Sequence, residues 1–262
     1  MPFFHIVILA LVQGITEFLP ISSSGHLVLA HALLGSDGTA QDQIMDIAVH
    51  VGTLAAVLLY FRQYAAGIVR RDAAHWRLAF LIVFASLPVI AAGFVMHKLD
   101  PAWSRSLLLM GWASIIFGGV LWYADKFRPA GRDLEVMSWK GALFIGLAQV
   151  LSLMPGVSRS GITMTAARWL GFSRTESARF SMMLAIVAIS GAGALGGLDL
   201  LKSGDAALGL DALVAAVLSF VSSGAAIILM MKWLQHATFT PFVIYRIALG
   251  AALLAVYYGA LS

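Results

Sequence analysis

Apolar residues along this chain come in long, nearly charge-free runs, without the short-period alternation of half-buried strands or the single stripe of a soluble helix. The runs fall at about 47–61, 78–96, 106–124, 179–198, 212–233 and 241–260. A bilayer core about 30 Å thick takes about 20 residues of helix, so the pattern predicts six spanning helices. Two further apolar stretches, about 4–34 and 141–170, are interrupted near their middles by Pro20 and by Pro155-Gly156. The residue before a proline is driven out of the helical region, so each stretch is expected to form a helix, a loop and a second helix. Such breaks are tolerated at membrane depth only where protein or a water-filled cavity covers the loop.

The second half of the chain repeats the first. Sliding the sequence by 136 residues, the distance from Gln13 to Gln149, also places Ser22 on Ser158, Ser24 on Ser160, Gly25 on Gly161, Leu34 on Leu170 and Gly35 on Gly171. The same shift carries the first three apolar runs onto the last three. Each half is therefore one broken element followed by three spans. Three is odd, so if the broken elements are re-entrant, the halves lie upside down relative to each other, an arrangement that brings broken helices together near the midplane. The expected architecture is an all-α polytopic membrane protein with six transmembrane helices and two re-entrant helix-loop-helix elements in two inverted-topology repeats. Residues 1–124 form the first repeat and 137–262 the second, within a single membrane domain, 1–262.

Composition agrees with this and narrows the chemistry. Hydrophobic residues make up 60% of the chain and charged ones 11%, and the mean hydropathy is +0.89, values of an integral membrane protein. The absence of cysteine excludes disulfides, thiolate catalysis and soft-metal sites. The formal net charge of +4 has no water-facing domain on which to collect, so no nucleic-acid partner is expected. The positive charge instead marks topology. Arg62, Arg70, Arg71 and Arg77 share one loop, and Lys126, Arg128, Arg132 and Lys140 another, both on the same side of the six-span arrangement. The opposite loops are poorer in basic residues: one carries Asp37, Asp42 and Asp46 and no Lys or Arg, one sets Lys202 against Asp199, Asp205 and Asp211, and 97–105 carries Lys98 and Arg105. Basic loops stay in the cytoplasm, so the first broken element is expected to enter from the outer face and the second from the cytoplasm. The segment MPFFHIVILALVQG lacks the pattern of a cleaved secretory leader and is expected to be the first arm of that element.

Ionisable groups at membrane depth cost about 2.5–3.5 kcal/mol each on insertion scales, so Glu17, His26 and Arg159 are functional candidates by position, with His50 and Arg246 nearer span ends. They lie in QGITEFLPISSSGH, from Gln13 to His26, and in QVLSLMPGVSRSGIT, from Gln149 to Thr163. Ser22 and Ser158 stand where N-caps belong, so two helix N-termini are expected to face one interior site and to suit an anion, phosphate above all. Arg159, a cation in a helix's first turn, needs an anionic partner: a bidentate phosphate, or Glu17 in a salt bridge across the repeats. The halves contribute different groups, since Glu17 matches Leu153, His26 matches Ile162 and Ser23 matches Arg159. The first half is expected to supply acid–base or nucleophilic chemistry, and the second anion binding. Gly191, Gly193, Gly196 and Gly197 read as close helix packing, and no P-loop or metal-binding histidine pattern is present.

On these motifs, together with AVHVGTLAAVLLYFR, the chain resembles the bacterial undecaprenyl-diphosphatase family, also called the bacitracin-resistance proteins, over nearly its whole length. The resemblance implies hydrolysis of undecaprenyl diphosphate to undecaprenyl phosphate and phosphate, which recycles the carrier lipid for cell-wall synthesis. It also implies a place in the bacterial cytoplasmic membrane, with the site opening toward the outer face. By this resemblance Glu17, Ser23, His26 and Arg159 are the catalytic positions, and Gln13, Ser22, Ser158, Ser160 and Thr163 bind substrate phosphate. The family's Mg²⁺ or Ca²⁺ dependence makes Glu17 a metal ligand, while Gln13 stands where many members carry a second glutamate. The nucleophile is expected to be Ser23 activated by His26, or His26 oriented by Glu17. The partners expected are the polyprenyl diphosphate and the bilayer, with a second copy of the chain as a further candidate. The competing function is a transporter or flippase of polyprenyl phosphate, for which inverted repeats are equally suited.

Overall fold

The structure is a computed structural model that describes residues 2–35, 40–99, 103, 106–203 and 206–259, the side chains of 40, 97, 192–203, 206 and 207 excepted. Among the described residues the regular structure is helical, apart from one isolated bridge between Arg132 and Phe172. In chain order the helices are α1 (Phe3–Thr16), α2 (Ser23–Leu33), α3 (Ala40–Tyr60), α4 (Arg62–Val69), α5 (Ala73–Leu99), α6 (Leu107–Phe127), α7 (Trp139–Val150), α8 (Arg159–Trp169), α9 (Arg174–Ser203), α10 (Ala206–His236) and α11 (Thr240–Gly259). Five segments among the described residues are long and apolar enough to cross a membrane: Gln41–Tyr60, Ala73–Met96, Leu107–Phe127, Leu208–His236 and Thr240–Gly259. The protein is a multi-pass membrane protein. The sixth expected span, 179–198, begins within α9, and its side chains beyond Gly191 lie outside the described residues. Asp37, Asp205 and Arg105 of the expected outer loops lie outside them as well.

The helices outrun the apolar runs that predict them, because polar residues just outside those runs cap and extend them. Asp72 Oδ1 accepts the backbone N–H of Ala74 at 2.9 Å and of His75 at 3.2 Å, starting α5 five residues before the run at 78. These bonds, after that of the His75 side chain, hold the Asp72 carboxyl below its ordinary range. Ser106 and Ser138 accept from the N–H groups of Leu109 and Gly141 and so start α6 and α7.

Both stretches broken by proline are broken in the structure. α1 has 14 residues and α2 has 11, about 21 Å and 16 Å at 1.5 Å per residue, so neither alone crosses a core of about 30 Å. Glu17 to Ser22 form the turn between them. α7 and α8 repeat the arrangement around a short 3₁₀ turn, Leu151–Leu153, and the Pro155-Gly156 bend. α8, RSGITMTAARW, carries two arginines, a serine and two threonines, yet Ser160 to Arg168 are all buried. A polar helix sealed from lipid in this way belongs to the interior of a site.

α3 packs along α10 and α9, α6 along α11, α1 on α10 and α7 on α5. Small residues set the closest crossings. A Cβ on Gly52 of α3 would fall 2.2 Å from the Ala216 carbonyl of α10, and one on Gly250 of α11 would fall 2.6 Å from the Gly111 carbonyl of α6. Of the glycines expected to do this in the fourth run, Gly191 would meet nothing within 4 Å, while Gly193, Gly196 and Gly197 lie outside the residues whose side chains are described.

Candidate active site

The tips of the two broken elements meet. Ser160 Oγ, in the first turn of α8, donates to the Leu19 carbonyl in the turn after α1 at 2.7 Å. Beside this bridge stands Glu17, 7% exposed, at the end of α1. Its Oε2 accepts from Ser23 Oγ at 2.6 Å and from Gln13 Nε2 at 2.8 Å, and its Oε1 accepts from Arg159 Nη2 at 3.0 Å. His50 Nε2, from α3, lies 3.9 Å from Oε2. Carboxylate, serine hydroxyl and guanidinium are thus one connected group contributed by both halves. The salt-bridge partner weighed for Arg159 is the one it has here.

Arg159 is aimed from behind. Its Nη1 donates to the Ser181 carbonyl at 3.1 Å, and Ser181 Oγ accepts from Thr163 Oγ1 at 2.7 Å. Thr163 also lies 2.8 Å from the Arg159 carbonyl and is 1% exposed. Expected as a phosphate ligand, Thr163 stands instead behind the arginine, joined to α9. Ser158 caps α8 as expected, accepting the Gly161 N–H at 3.1 Å, and its hydroxyl lies 3.1 Å from Ser160 Oγ.

Ser22 occupies the equivalent position before α2 but makes no side-chain cap bond; its hydroxyl lies 3.3 Å from Ser24 Oγ. The physical reason lies in the backbone. Ser22 has φ 74° and Ser158 φ 68°, left-handed values that cost a serine about 1–3 kcal/mol. At ψ 88° rather than 115°, the Ser22 side chain does not reach back to the helix. The first-turn N–H groups of α2 are therefore left without a serine cap, next to Ser23 and Glu17.

The bend before α8 is fixed by Arg246 of α11, fully buried, whose Nη2 donates to the carbonyls of Gly156 at 3.1 Å and Val157 at 2.8 Å. Nη1 lies so near Gly161 that a Cβ there would come within 2.5 Å of it. His26 is held elsewhere than expected. Its ring nitrogens meet the Ser22 carbonyl at 2.7 Å and the Tyr245 hydroxyl at 2.6 Å, and Ser23 and Glu17 bond to each other.

The full-length pattern decides the family. The family model "Bacitracin resistance protein BacA" matches residues 6–252 of the chain. This chain belongs to that family. Curated relatives similar to it include the undecaprenyl-diphosphatase of Ruegeria pomeroyi, 44% identical over 98% of this chain and 100% of that protein. The undecaprenyl-diphosphatase of Alteromonas mediterranea is 45% identical over 97% and 98%, and undecaprenyl-diphosphatase 1 of Rhodospirillum rubrum 47% identical over 97% and 95%. The matched span runs through both broken elements.

Tyr245 and Ser181 are absent from the sequence-based candidates. Tyr245 lies next to the intramembrane Arg246, a signal that marks the neighbourhood but not the contact with His26. Ser181 lies in RFSMM at the head of an apolar run and carries no signal.

Proposed function

We propose that this protein hydrolyses undecaprenyl diphosphate to undecaprenyl phosphate and inorganic phosphate. The carrier lipid is thereby returned to cell-wall synthesis. The single observation that carries the mechanism is the 2.6 Å bond from Ser23 Oγ to Glu17 Oε2, in a group that Arg159 completes. A serine hydroxyl directed at a buried carboxylate is a nucleophile paired with its base. In this reading Ser23 Oγ attacks the terminal phosphorus and Glu17 takes its proton. The bridging P–O bond breaks, and undecaprenyl phosphate leaves with the bridging oxygen. Water then cleaves the phosphoserine, restoring the hydroxyl. Arg159 turns from Glu17 to the phosphate oxygens, and the open N–H groups at the start of α2 add neutral donors to the developing charge. Ser22, Ser158 and Ser160 shape the two turns that bring these donors together.

Gln13 Oε1 is fully buried without a hydrogen-bond partner beside Glu17, and these are the oxygens that would hold a Mg²⁺ or Ca²⁺. Among the described residues no cluster of three or more acidic, histidine or cysteine side chains could bind a metal, so an ion held here would need further ligands from the substrate phosphates. When bound, such an ion offsets charge on the diphosphate. The polyprenyl chain lies along an apolar groove of about 660 Å³ between α1, α10 and α11, lined by Ile15, Leu19, Ala226, Leu229, Met230 and Phe242. Leu19 belongs both to this groove and to the bridge with Ser160.

The protein sits in the cytoplasmic membrane as six spans and two re-entrant elements, in two inverted repeats, 1–124 and 137–262, of one domain, with the site toward the outer face. Helix packing supports the pairing of the two halves. Exchanging α1 with α7, α2 with α8, α3 with α9, α5 with α10 and α6 with α11 turns the α1–α10 pair into α7–α5 and the α3–α10 pair into α9–α5. It leaves α3–α9 and α6–α11 unchanged, and all of these pairs are in contact. The left-handed Ser22 and Gly35 recur as Ser158 and Gly171.

The test is phosphate release from undecaprenyl diphosphate by the detergent-solubilised protein, where transport has no meaning. Wild type is expected to release phosphate and Arg159→Ala to lose most of it. If wild type releases none, the enzyme reading fails and a flippase takes its place.

A further inference from the structure

His26, in α2, makes no bond to the Ser23–Glu17–Arg159 group. Its hydrogen bonds fix its tautomer. The Ser22 carbonyl, 2.7 Å from Nδ1, can only accept, so Nδ1 carries the proton. The neutral ring then has a bare Nε2. Tyr245 Oη lies 2.6 Å from that nitrogen, so the phenol donates. The two ring planes lie 8° from parallel with centroids 5.5 Å apart, so the rings meet edge to edge through this bond. Hydrogen bonds at both ring nitrogens hold the imidazole away from Ser23.

The chain of contacts continues into the backbone. The Ser22 carbonyl that holds Nδ1 also accepts the His26 N–H at 3.4 Å, and Ser22 is the left-handed residue immediately before Ser23. A strained backbone persists where its surroundings over-determine it. Here the surroundings are a relay of side chains anchored on α11, 219 residues away in sequence.

We propose that Tyr245 is a positioning residue for the hydrolysis: its phenol masks the Nε2 lone pair of His26 and, through His26 and the Ser22 carbonyl, braces the turn that aims Ser23. His26 is then neither the nucleophile nor the base for Ser23; it is the middle of a brace. The kinetic part of this proposal rests on Ser23 and Glu17 being the reacting pair, while the masking part does not.

Tyr245→Phe keeps the ring and removes the hydrogen bond. Diethylpyrocarbonate acylates unprotonated imidazole nitrogen, and mass spectrometry of the His26 peptide reads the rate in the folded, solubilised protein. His26 is expected to be labelled about fivefold faster in Tyr245→Phe than in wild type, with His50 unchanged. Tyr245→Leu, which also removes the ring, is expected to label at least as fast. Equal His26 rates in wild type and Tyr245→Phe would overturn the proposal, as would a rise shared with His50, or one that appears only in Tyr245→Leu. In turnover, Tyr245→Phe is expected to lower kcat about fivefold with KM within twofold; a change confined to KM would overturn the brace. Wild type that releases no phosphate would refute the proposed function and leave the labelling comparison decisive for the mask.

Discussion

A carboxylate facing both a serine hydroxyl and a guanidinium has two claims on it, and the chemistry depends on which one the substrate removes. Diphosphate oxygens compete with Glu17 for Arg159, and release from the arginine leaves the carboxylate the stronger base for the Ser23 proton. Glu17→Gln keeps the shape and loses the base, so kcat is expected to fall about 10²–10⁴-fold, measured as phosphate release. Ser23→Ala should fall as far and should also abolish any ³²P-labelled phosphoserine trapped from the wild type by acid quench. Activity retained in Ser23→Ala would point to direct attack by water. Gln13 offers a second test, because its amide donates to Glu17 with Nε2 while Oε1 is buried without a partner. Gln13→Glu places a second carboxylate there, and affinity for hard cations rises with the number of charged ligands. The Mg²⁺ concentration giving half-maximal activity is expected to drop about tenfold. An unchanged value would place the cation away from Gln13.

Among the elements, what keeps α8 in register is a clasp at its far end. Asp125, near the end of α6, accepts from Arg168 Nε at 3.1 Å, Arg174 Nε at 2.7 Å and the backbone N–H of Phe239 at 3.1 Å, tying α8, α9 and the start of α11 together. Arg168 is 1% exposed, so Asp125→Ala strands a buried cation, a loss of about 3–5 kcal/mol, seen as a melting temperature lowered by roughly 10 °C in detergent. Arg179→Ala, which breaks a half-exposed pair with Glu176, should move it by no more than about 1–2 °C. None of the clasp was legible in the sequence, where Asp125 and Arg168 stand in an expected loop and a broken helix with nothing to pair them. What was legible has a local cause: the breaks at Pro20 and Pro155, the Ser158 cap, and the salt bridge of Glu17 with Arg159. The left-handed Ser22, the Ser181 and Thr163 support behind Arg159 and the Tyr245 brace are set by helices that approach only when folded.

At the scale of the molecule, two turns that match across a 136-residue shift hold a group that is not two-fold at all. Glu17, Ser23 and His26 come from one half and Arg159 from the other, and the positions that match them under the shift are Leu153, Arg159, Ile162 and Ser23. The two left-handed serines stand at matching turns, and divergence between the turns puts a carboxylate and a hydroxyl in one and a guanidinium in the other. The same asymmetry reaches the lipid face, where Ile15 and Leu19, two residues either side of Glu17, continue into the groove against α10 and α11. A polyprenyl chain seated there gains affinity in proportion to the apolar surface it buries, at about 25 cal/mol per Å². Long and short substrates should therefore differ in KM far more than in kcat, since the chain end is remote from the reacting phosphorus. Ala226→Trp fills the groove without touching Glu17 or Arg159. It is expected to raise KM for undecaprenyl diphosphate about tenfold, a loss of about 1.4 kcal/mol, while KM for farnesyl diphosphate, too short to fill the groove, changes by less than about twofold. Equal increases for both substrates would show that the groove acts on the site itself, and no increase for either would place the chain on another face of the protein.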